Sequence, residues 1–264
     1  MVPPAEFTRD STKNFDVAVV GGGIAGLTLT LSLLSHGVPV TLYEAASKFG
    51  EIGAGVSFGP NASRAMKLIS PHIYEAFEAR ASRNQSADKA GVWFDFRYGE
   101  DCDGKRTAGE KITTVKCEGG QASVHRAHFL DELVKLLPDG IARFGYRATS
   151  FVDHGEDGIV LSFSNGEKAK HDAIVGCDGI KSKIRSSLLG SGHPAAHAVY
   201  SGKYAYRGLI PMDEAKALLG EDLAQNAQMY LGRHGHVLTF AIEKGKTMNG
   251  EKITSAFPAH TDLI

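Results

Sequence analysis

Polar and apolar positions alternate along this chain in two distinct ways. Phe15 to Val20 is β-branched and apolar, the pattern of a strand buried on both faces of a parallel sheet. Ile24 to His36 reads as a helix, with Gly37 suited to end it, and Val38 to Tyr43 reads as a second strand. Strand, glycine turn, helix and strand succeed one another within about thirty residues, as a βαβ unit requires. Helices are predicted over Asn61 to Ile69 and over Arg126 to Leu137, the latter stopped by Pro138. Val92 to Phe96 and Thr113 to Cys117 read as strands. Thr149 to Asp153, Ile159 to Ser164 and Lys170 to Val175 read as a meander, with Asn165-Gly166 as the hairpin turn between the last two. A second strand-rich block follows: Lys203 to Ile210, Gln228 to Leu231 and His236 to Ile242, with a helix near Asp213 to Leu219. The expected fold class is α/β, a Rossmann-like βαβ unit with an interleaved antiparallel sheet.

Composition narrows the partners. The 264 residues carry a net charge of -1, with 42% hydrophobic and 22% charged residues, so bulk charge favours neither nucleic acid nor a membrane surface. The uncharged run Val17 to Ser35 is broken by Gly21, Gly22 and Gly23 and lacks a basic leader, which opposes a membrane span or a signal peptide. Cys102, Cys117 and Cys177 are odd in number and widely spaced, which fits a reducing, cytoplasmic setting better than a disulfide scaffold.

Chemistry concentrates first at Gly21-Gly-Gly23-Ile24-Ala25-Gly26, a GxGxxG between strand and helix. The first glycine permits the turn, the second admits a pyrophosphate against the backbone, and the third lets the helix approach the strand. The helix N-terminus adds free N–H groups and partial positive charge. Glu44, directly after the second strand, suits a ribose hydroxyl and repels a 2′-phosphate, so FAD or NAD fits better than NADP. His193 with His197 and His234 with His236 lack an arrangement of carboxylates, so no metal is expected from them. No GxSxG nucleophile elbow occurs.

Five further segments carry a resemblance. Glu51-Ile-Gly53-Ala54-Gly55-Val-Ser-Phe-Gly-Pro60-Asn61-Ala62-x-Arg64 resembles the flavin-contacting segment of class A FAD-dependent aromatic hydroxylases, closest to the salicylate hydroxylase-like branch. Val124-His-Arg126-x-x-Phe-Leu-x-x-Leu133 is similar to the family helix whose arginine reaches the FAD phosphates. Asp172-Ala-Ile-Val-Gly-Cys177-Asp178-Gly179-Ile-x-Ser182-x-x-Arg185 resembles the family's Asp-Gly motif, with Cys177 where alanine is usual and Ser182 as a helix cap. Tyr204-Ala-Tyr206-Arg207-Gly-Leu-Ile-Pro211 and Gly235 to Asn249 resemble substrate-domain strands.

The resemblance implies hydroxylation of an aromatic acid or phenol with FAD, NAD(P)H and O2, and leaves NADH versus NADPH and the oligomeric state open. It implies cofactor contacts from Gly21, Gly23, Ile24, Ala25, Gly26, Glu44, Gly53, Ala54, Gly55, Arg126, Asp178 and Gly179. Arg207 is either a catalytic cation that stabilises a phenolate or a strand arginine paired with a sheet neighbour; Tyr206 and His236 are further lining candidates. An FAD-binding part is expected from 14–80 with 120–190, a substrate sheet from 81–119 with 191–249, and loose ends at 1–13 and 250–264. The family's later Gly-Asp motif does not occur before Ile264, so an incomplete C-terminal side of the fold, weak FAD binding and poor turnover are expected. A non-catalytic nucleotide-binding remnant and another FAD- or NAD-dependent oxidoreductase are the alternatives.

Overall fold

A computed structural model describes residues 3–8, 13–50, 54–102 and 104–255. In chain order the elements are β1 (Val17–Val20), α1 (Ile24–Ser35), β2 (Val40–Glu44), β3 (Gly55–Phe58), α2 (Pro60–Ile69), α3 (Pro71–Glu78), β4 (Ser82–Arg83), β5 (Val92–Tyr98), β6 (Lys111–Lys116) and β7 (Ala122–His125). There follow α4 (Arg126–Leu136), β8 (Ala142–Phe144), β9 (Ala148–Asp153), β10 (Ile159–Phe163), β11 (Lys168–His171), β12 (Ala173–Gly176) and α5 (Lys183–Leu189). The last elements are β13 (Lys203–Pro211), α6 (Met212–Leu219), α7 (Glu221–Gln225), β14 (Gln228–Gly232), β15 (Gly235–Ile242) and β16 (Thr247–Ser255).

Two compact units result, and both draw on separate stretches of chain. The first gathers described residues of 1–51, 66–76 and 129–199. Its parallel sheet has the order β12-β1-β2-β8, and all four residues of β1 are buried, as two covered faces demand. An antiparallel meander, β11-β10-β9, lies in the same unit. Ala18, Val20 and Tyr43 share one core with Leu161 and Phe163 of the meander and Ile184 of α5. The Asn165-Gly166 turn forms as expected: Gly166 has φ +86°, and the Asn165 side chain accepts from the Glu167 N–H at 3.0 Å.

One expected strand is two. Lys170 to Val175 divides into β11, paired with β10, and β12, paired with β1. Asp16 stands at the break. Its backbone N–H donates to the Asp172 carboxylate at 2.8 Å, and its own carboxylate pairs with His171, whose Nε2 meets the Tyr43 hydroxyl at 2.8 Å. Burial, foremost, pushes the Tyr43 phenol above its ordinary pKa.

Within the N-terminal stretch expected to be loose, the described residues 3–8 make packing contacts. Phe7 is buried against His72, and Ser70 donates to the Glu6 carboxylate. Withdrawing one phenyl side chain from water contributes about 2–3 kcal/mol, enough to hold a short segment down.

The second unit gathers described residues of 52–65, 77–128 and 200–255. Its main sheet runs β13-β16-β15-β14-β5-β6, antiparallel except where β14 lies parallel to β5. Alternation along β15 serves two cores. Phe240 and Ile242 pack with Phe94 and Ala227, whereas Ala241 packs with Met248, Met212, Ala215 and Ala224. A small sheet, β3-β7-β4, completes the unit.

Five stretches differ from the sequence reading: residues 54–65, 77–80 and 120–128 fall in the sheet unit, 191–199 in the first unit, and 250–255 in a strand. Residues 54–65 cluster with the sheet unit rather than with the glycine loop, because β3 pairs with β7. Residues 250–255, expected to be loose, extend β16 and are hydrogen-bonded to β13 on one side and β15 on the other. An alternation too polar to suggest a strand forms one because both neighbours supply partners.

Candidate functional site

The first unit assembles a cradle at the carboxyl ends of β1, β2 and β12. Gly21 turns the chain out of β1 at φ +106°, and a Cβ there would lie 2.7 Å from the Cys177 carbonyl carbon. Its N–H donates to the Tyr43 carbonyl at 2.8 Å, while Cys177 N–H donates to the Val20 carbonyl at 2.7 Å. The glycine loop and the Cys177-Asp178 turn are thereby locked together. At Gly26 a Cβ would strike the Gly21 carbonyl oxygen, so this glycine allows α1 to begin close to β1.

Gly23 differs from both. A Cβ on it would meet nothing within 4 Å. Gly23 is the N-cap of α1 with φ -73°, a conformation open to any residue, and no side chain caps the helix. The first helical bond runs from Leu27 N–H to the Gly23 carbonyl at 2.9 Å. Helix geometry therefore leaves the N–H groups of Ile24, Ala25 and Gly26 without intrahelical acceptors. Three donors beside open space, at the positive end of a 12-residue helix, suit a diphosphate.

Glu44 closes the cradle. Its Oε2 accepts from Gly22 N–H at 2.7 Å and its Oε1 from Ala46 N–H at 2.7 Å. A carboxylate has about four acceptor positions, so each oxygen keeps capacity for a sugar hydroxyl. A Cβ at Gly22 would stand 2.9 Å from Glu44 Oε2, which makes Gly22 part of the acid's seat. The sequence reading passed over Gly22, although its place between two motif glycines was a signal.

Asp178 is not aimed as expected. Its Oδ1 accepts from the Ser182 hydroxyl at 2.5 Å and its Oδ2 from the N–H groups of Lys183 and Ile184 at 2.6 and 3.2 Å. Ser182 in turn caps α5 by accepting from Arg185 N–H at 2.9 Å. The carboxylate is thus spent on organising the turn, and the main chain of that turn is what meets the glycine loop. Gly179 has φ +78° with open space around it, so conformation alone requires glycine there. Cys177 is a thiol whose pKa is raised by burial and then by the Asp178 charge, which fits a small packing residue.

The second unit holds the remaining predicted residues. Gly53 lies outside the described residues. Ala54 accepts from Arg126 N–H at 3.0 Å, which fixes the start of α4 beside β3, and the Arg126 side chain is exposed. Gly55 N–H donates to Asn249 Oδ1 at 2.9 Å, and a Cβ on Gly55 would lie 2.8 Å from both Asn249 Cγ and Phe240 Cε2. The space expected for a flat ring at Gly55 is filled by these two side chains. Asn249 is fully buried; the sequence placed it at the end of a substrate-domain strand segment, but nothing in its local sequence marks its contact with Gly55.

Arg207 is paired across the sheet. It stands opposite Glu251, and its Nη2 donates to Glu251 Oε1 at 2.7 Å. Its charge is compensated by a carboxylate that is only 13% exposed, which favours the sheet-neighbour role over the phenolate role. His236 lines a cavity of about 300 Å³ with Tyr230, Arg233, His234 and Lys252, whereas Tyr206 is an exposed strand residue outside it. Four residues of strand separate His236 from Phe240, about 13 Å at ~3.3 Å per residue, so this cavity lies away from the Gly55 contact.

No helix among the described residues is long and apolar enough to cross a membrane.

Comparison with known proteins agrees with this layout. Residues 19–76 match an NAD(P)-binding Rossmann-like domain. A 6-methylsalicylate 1-monooxygenase of Aspergillus terreus is 46% identical over 242 residues, which is 90% of this chain and 53% of that protein. An FAD-dependent monooxygenase of Aspergillus niger is 44% identical over 246 residues, covering 90% of this chain and 54% of that protein. The solved structure of a salicylate hydroxylase substrate complex superimposes with a TM-score of 0.76 at 34% identity, covering 97% of this chain and 59% of the other. The chain spans about half the length of the curated relatives it matches. Along the residues it shares with them, this chain is similar to class A flavoprotein monooxygenases of the salicylate hydroxylase type.

Proposed function

We propose that this chain forms the FAD-binding and substrate-sheet parts of a monooxygenase that hydroxylates an aromatic acid of the salicylate type with NAD(P)H and O2. The observation that carries the reading is the cradle itself: three unpartnered helix N–H groups beside open space at Gly23, with Glu44 seated opposite. Bound FAD would supply the redox and oxygen-transfer chemistry.

The chain's own residues bind, orient and exclude water. The N–H groups of Ile24, Ala25 and Gly26 hold the diphosphate. The free lone pairs of Glu44 accept from the adenosine ribose, and its charge disfavours a 2′-phosphate at that point. Arg126 offers a planar fork of donors to phosphate oxygens. Asn249 clamps Gly55 and so fixes the segment expected beside the flavin ring. The apolar face formed by Phe94, Phe240, Met229 and Leu238 keeps water from that side of the sheet. No protein nucleophile is required, consistent with the absence of a nucleophile elbow in the sequence. Three free thiols fit a cytoplasmic setting.

Titration with FAD, followed by quenching of flavin fluorescence, tests the first half. Saturation at one equivalent, lost in Gly23→Ala, is expected. Salicylate-stimulated NAD(P)H oxidation, with one atom of labelled O2 in the ring product, tests the second half. Tight binding of NAD in place of FAD would replace this reading with a nicotinamide dehydrogenase.

A further inference from the structure

A cavity of about 310 Å³ in the second unit is lined by Arg80, His125, His128, Glu243, Lys244 and Lys246. We infer that His125, His128 and Glu243 bind one divalent transition-metal ion of the zinc type. Their donor atoms all lie within 4.8 Å of one another, and His128 Nδ1 is 3.5 Å from Glu243 Oε1. Nitrogen and oxygen ligands sit about 2.0–2.1 Å from zinc, which sets them roughly 3.4 Å apart in a tetrahedron. The His128–Glu243 pair already has that separation.

The three residues come from three places that the fold holds together. His125 ends β7, His128 lies in the first turn of α4, and Glu243 opens the turn between β15 and β16. The two imidazoles are stacked, with ring centroids 4.1 Å apart. Glu243 is oriented from behind: its Oε2 accepts from the Thr247 hydroxyl at 2.6 Å, leaving Oε1 towards His128. A hydrogen bond to the far oxygen of a metal-ligating carboxylate is the usual outer-shell support. Glu243 and Lys244, with φ of +53° and +56°, are the only non-glycine residues with positive φ among the described residues. The turn therefore holds Glu243 at a conformational cost.

Charge selects the ion. Two neutral imidazoles and one carboxylate neutralise half of a divalent charge, while Arg80, Lys244 and Lys246 line the same cavity. Calcium and magnesium rely on several oxygens and find one carboxylate here. Zinc and its neighbours gain their affinity from imidazole nitrogen. The cationic rim favours an anion, such as chloride or a carboxylate, at the ion's open position.

The test uses chelator-stripped protein titrated with Co²⁺, read by visible absorption, and with Zn²⁺, read by calorimetry and thermal melting. One equivalent of Co²⁺ with a tetrahedral-type spectrum, displaced by Zn²⁺ but not by Mg²⁺, is expected. His128→Ala and Glu243→Gln should each weaken binding more than tenfold and remove the zinc-dependent rise in Tm. Thr247→Val should weaken it about tenfold through the carboxylate's orientation, and Lys246→Ala should tighten it. Metal-free His128→Ala, whose side chain is half-exposed, should melt like the parent, which separates lost binding from lost fold. Absence of a saturable site overturns the inference, as does an affinity unchanged in both His128→Ala and Glu243→Gln. Neither outcome touches FAD binding at the glycine loop.

Discussion

The glycine loop of the parallel sheet and the Arg207 strand of the antiparallel sheet solve opposite problems. In the loop, the proposed diphosphate site comes from what is missing: no side chain at Gly21 or Gly26, and open space at Gly23. On the strand, a long charged side chain is present, and the neighbouring strand consumes it through Glu251. A motif written in glycines declares its geometry in sequence, since few other residues fit the same backbone. A charged residue on a strand declares nothing until its cross-strand partner is known.

The sharpest way to break this comparison is within the loop. Gly21→Ala places a methyl against the Cys177 carbonyl at φ +106°. Overpacking and backbone strain together should cost roughly 3–5 kcal/mol, visible as a lower urea midpoint at unchanged slope. Gly23→Ala has no such contact and an ordinary φ. Its unfolding free energy from the urea melt should stay within about 0.5 kcal/mol of the parent, while FAD affinity falls more than tenfold. Equal stability losses in the two variants would erase the distinction between a glycine for folding and a glycine for a ligand.

The second unit has a buried residue that acts through charge rather than through the absence of a side chain. Asp95 is 1% exposed and pairs with Lys89 at 3.3 Å, and it also accepts from the Thr114 hydroxyl. Burial is the largest influence and would raise its carboxyl pKa. The Thr114 and Lys89 hydrogen bonds and the Lys89 and Lys111 charges together outweigh it and hold the pKa below the ordinary value. The folded pKa is depressed, so this contribution is fully present above about pH 4 and is lost as pH falls through the lower folded value. Asp95→Asn should cost about 2–3 kcal/mol at pH 7, because Lys89 keeps Asp222 as a partner at 2.7 Å. The deficit relative to the parent should shrink below pH 4 in a series of urea melts. A deficit independent of pH would assign the effect to shape rather than charge.

A smaller effect is expected at Asp178, where the acid organises a turn. Asp178→Ala removes acceptors from Ser182, Lys183 and Ile184. A lost helix cap costs about 1–2 kcal/mol, read as a drop in Tm. FAD affinity should fall only as far as the turn loosens. Complete loss of binding with an unchanged Tm would instead restore the direct cofactor role that the motif implied.

Legibility in the sequence follows the range of the interactions. The βαβ unit, the Asn165-Gly166 hairpin and most strands were readable, because periodicity, turn residues and caps act over a few residues. The division of Lys170 to Val175 was not, because it depends on Asp16, more than 150 residues away in the chain. The Asn249 clamp on Gly55 spans 194 residues. The His125–His128–Glu243 cluster likewise joins residues that sequence spacing keeps apart, whereas the conspicuous His193/His197 and His234/His236 pairs form no such group with an acid among the described residues. Glu44 was legible as an acid after a strand, yet its two backbone donors were not, since they depend on how the loop folds back over it.

Arg207 supplies the smallest and most discriminating test. Its guanidinium is half-exposed and its pairing with Glu251 lies at the surface end of the spectrum for ion pairs. Arg207→Ala should therefore cost only about 0.2–1 kcal/mol, and the loss should shrink in high salt as screening weakens the pair it replaces. If the arginine serves the sheet alone, Glu251→Gln should produce a similar small loss, and the double variant should cost less than the sum of the two. Turnover with a salicylate-type substrate should change less than threefold in Arg207→Ala, on the order of 0.6 kcal/mol of barrier. A cation that stabilises a phenolate behaves differently: its removal would depress kcat by a hundredfold or more, shift the pH profile of the reaction upwards, and be partly rescued by lysine. That combination would return Arg207 to the catalytic centre and show that the Glu251 pair opens during the reaction, so that a side chain on a strand can be legible in sequence after all.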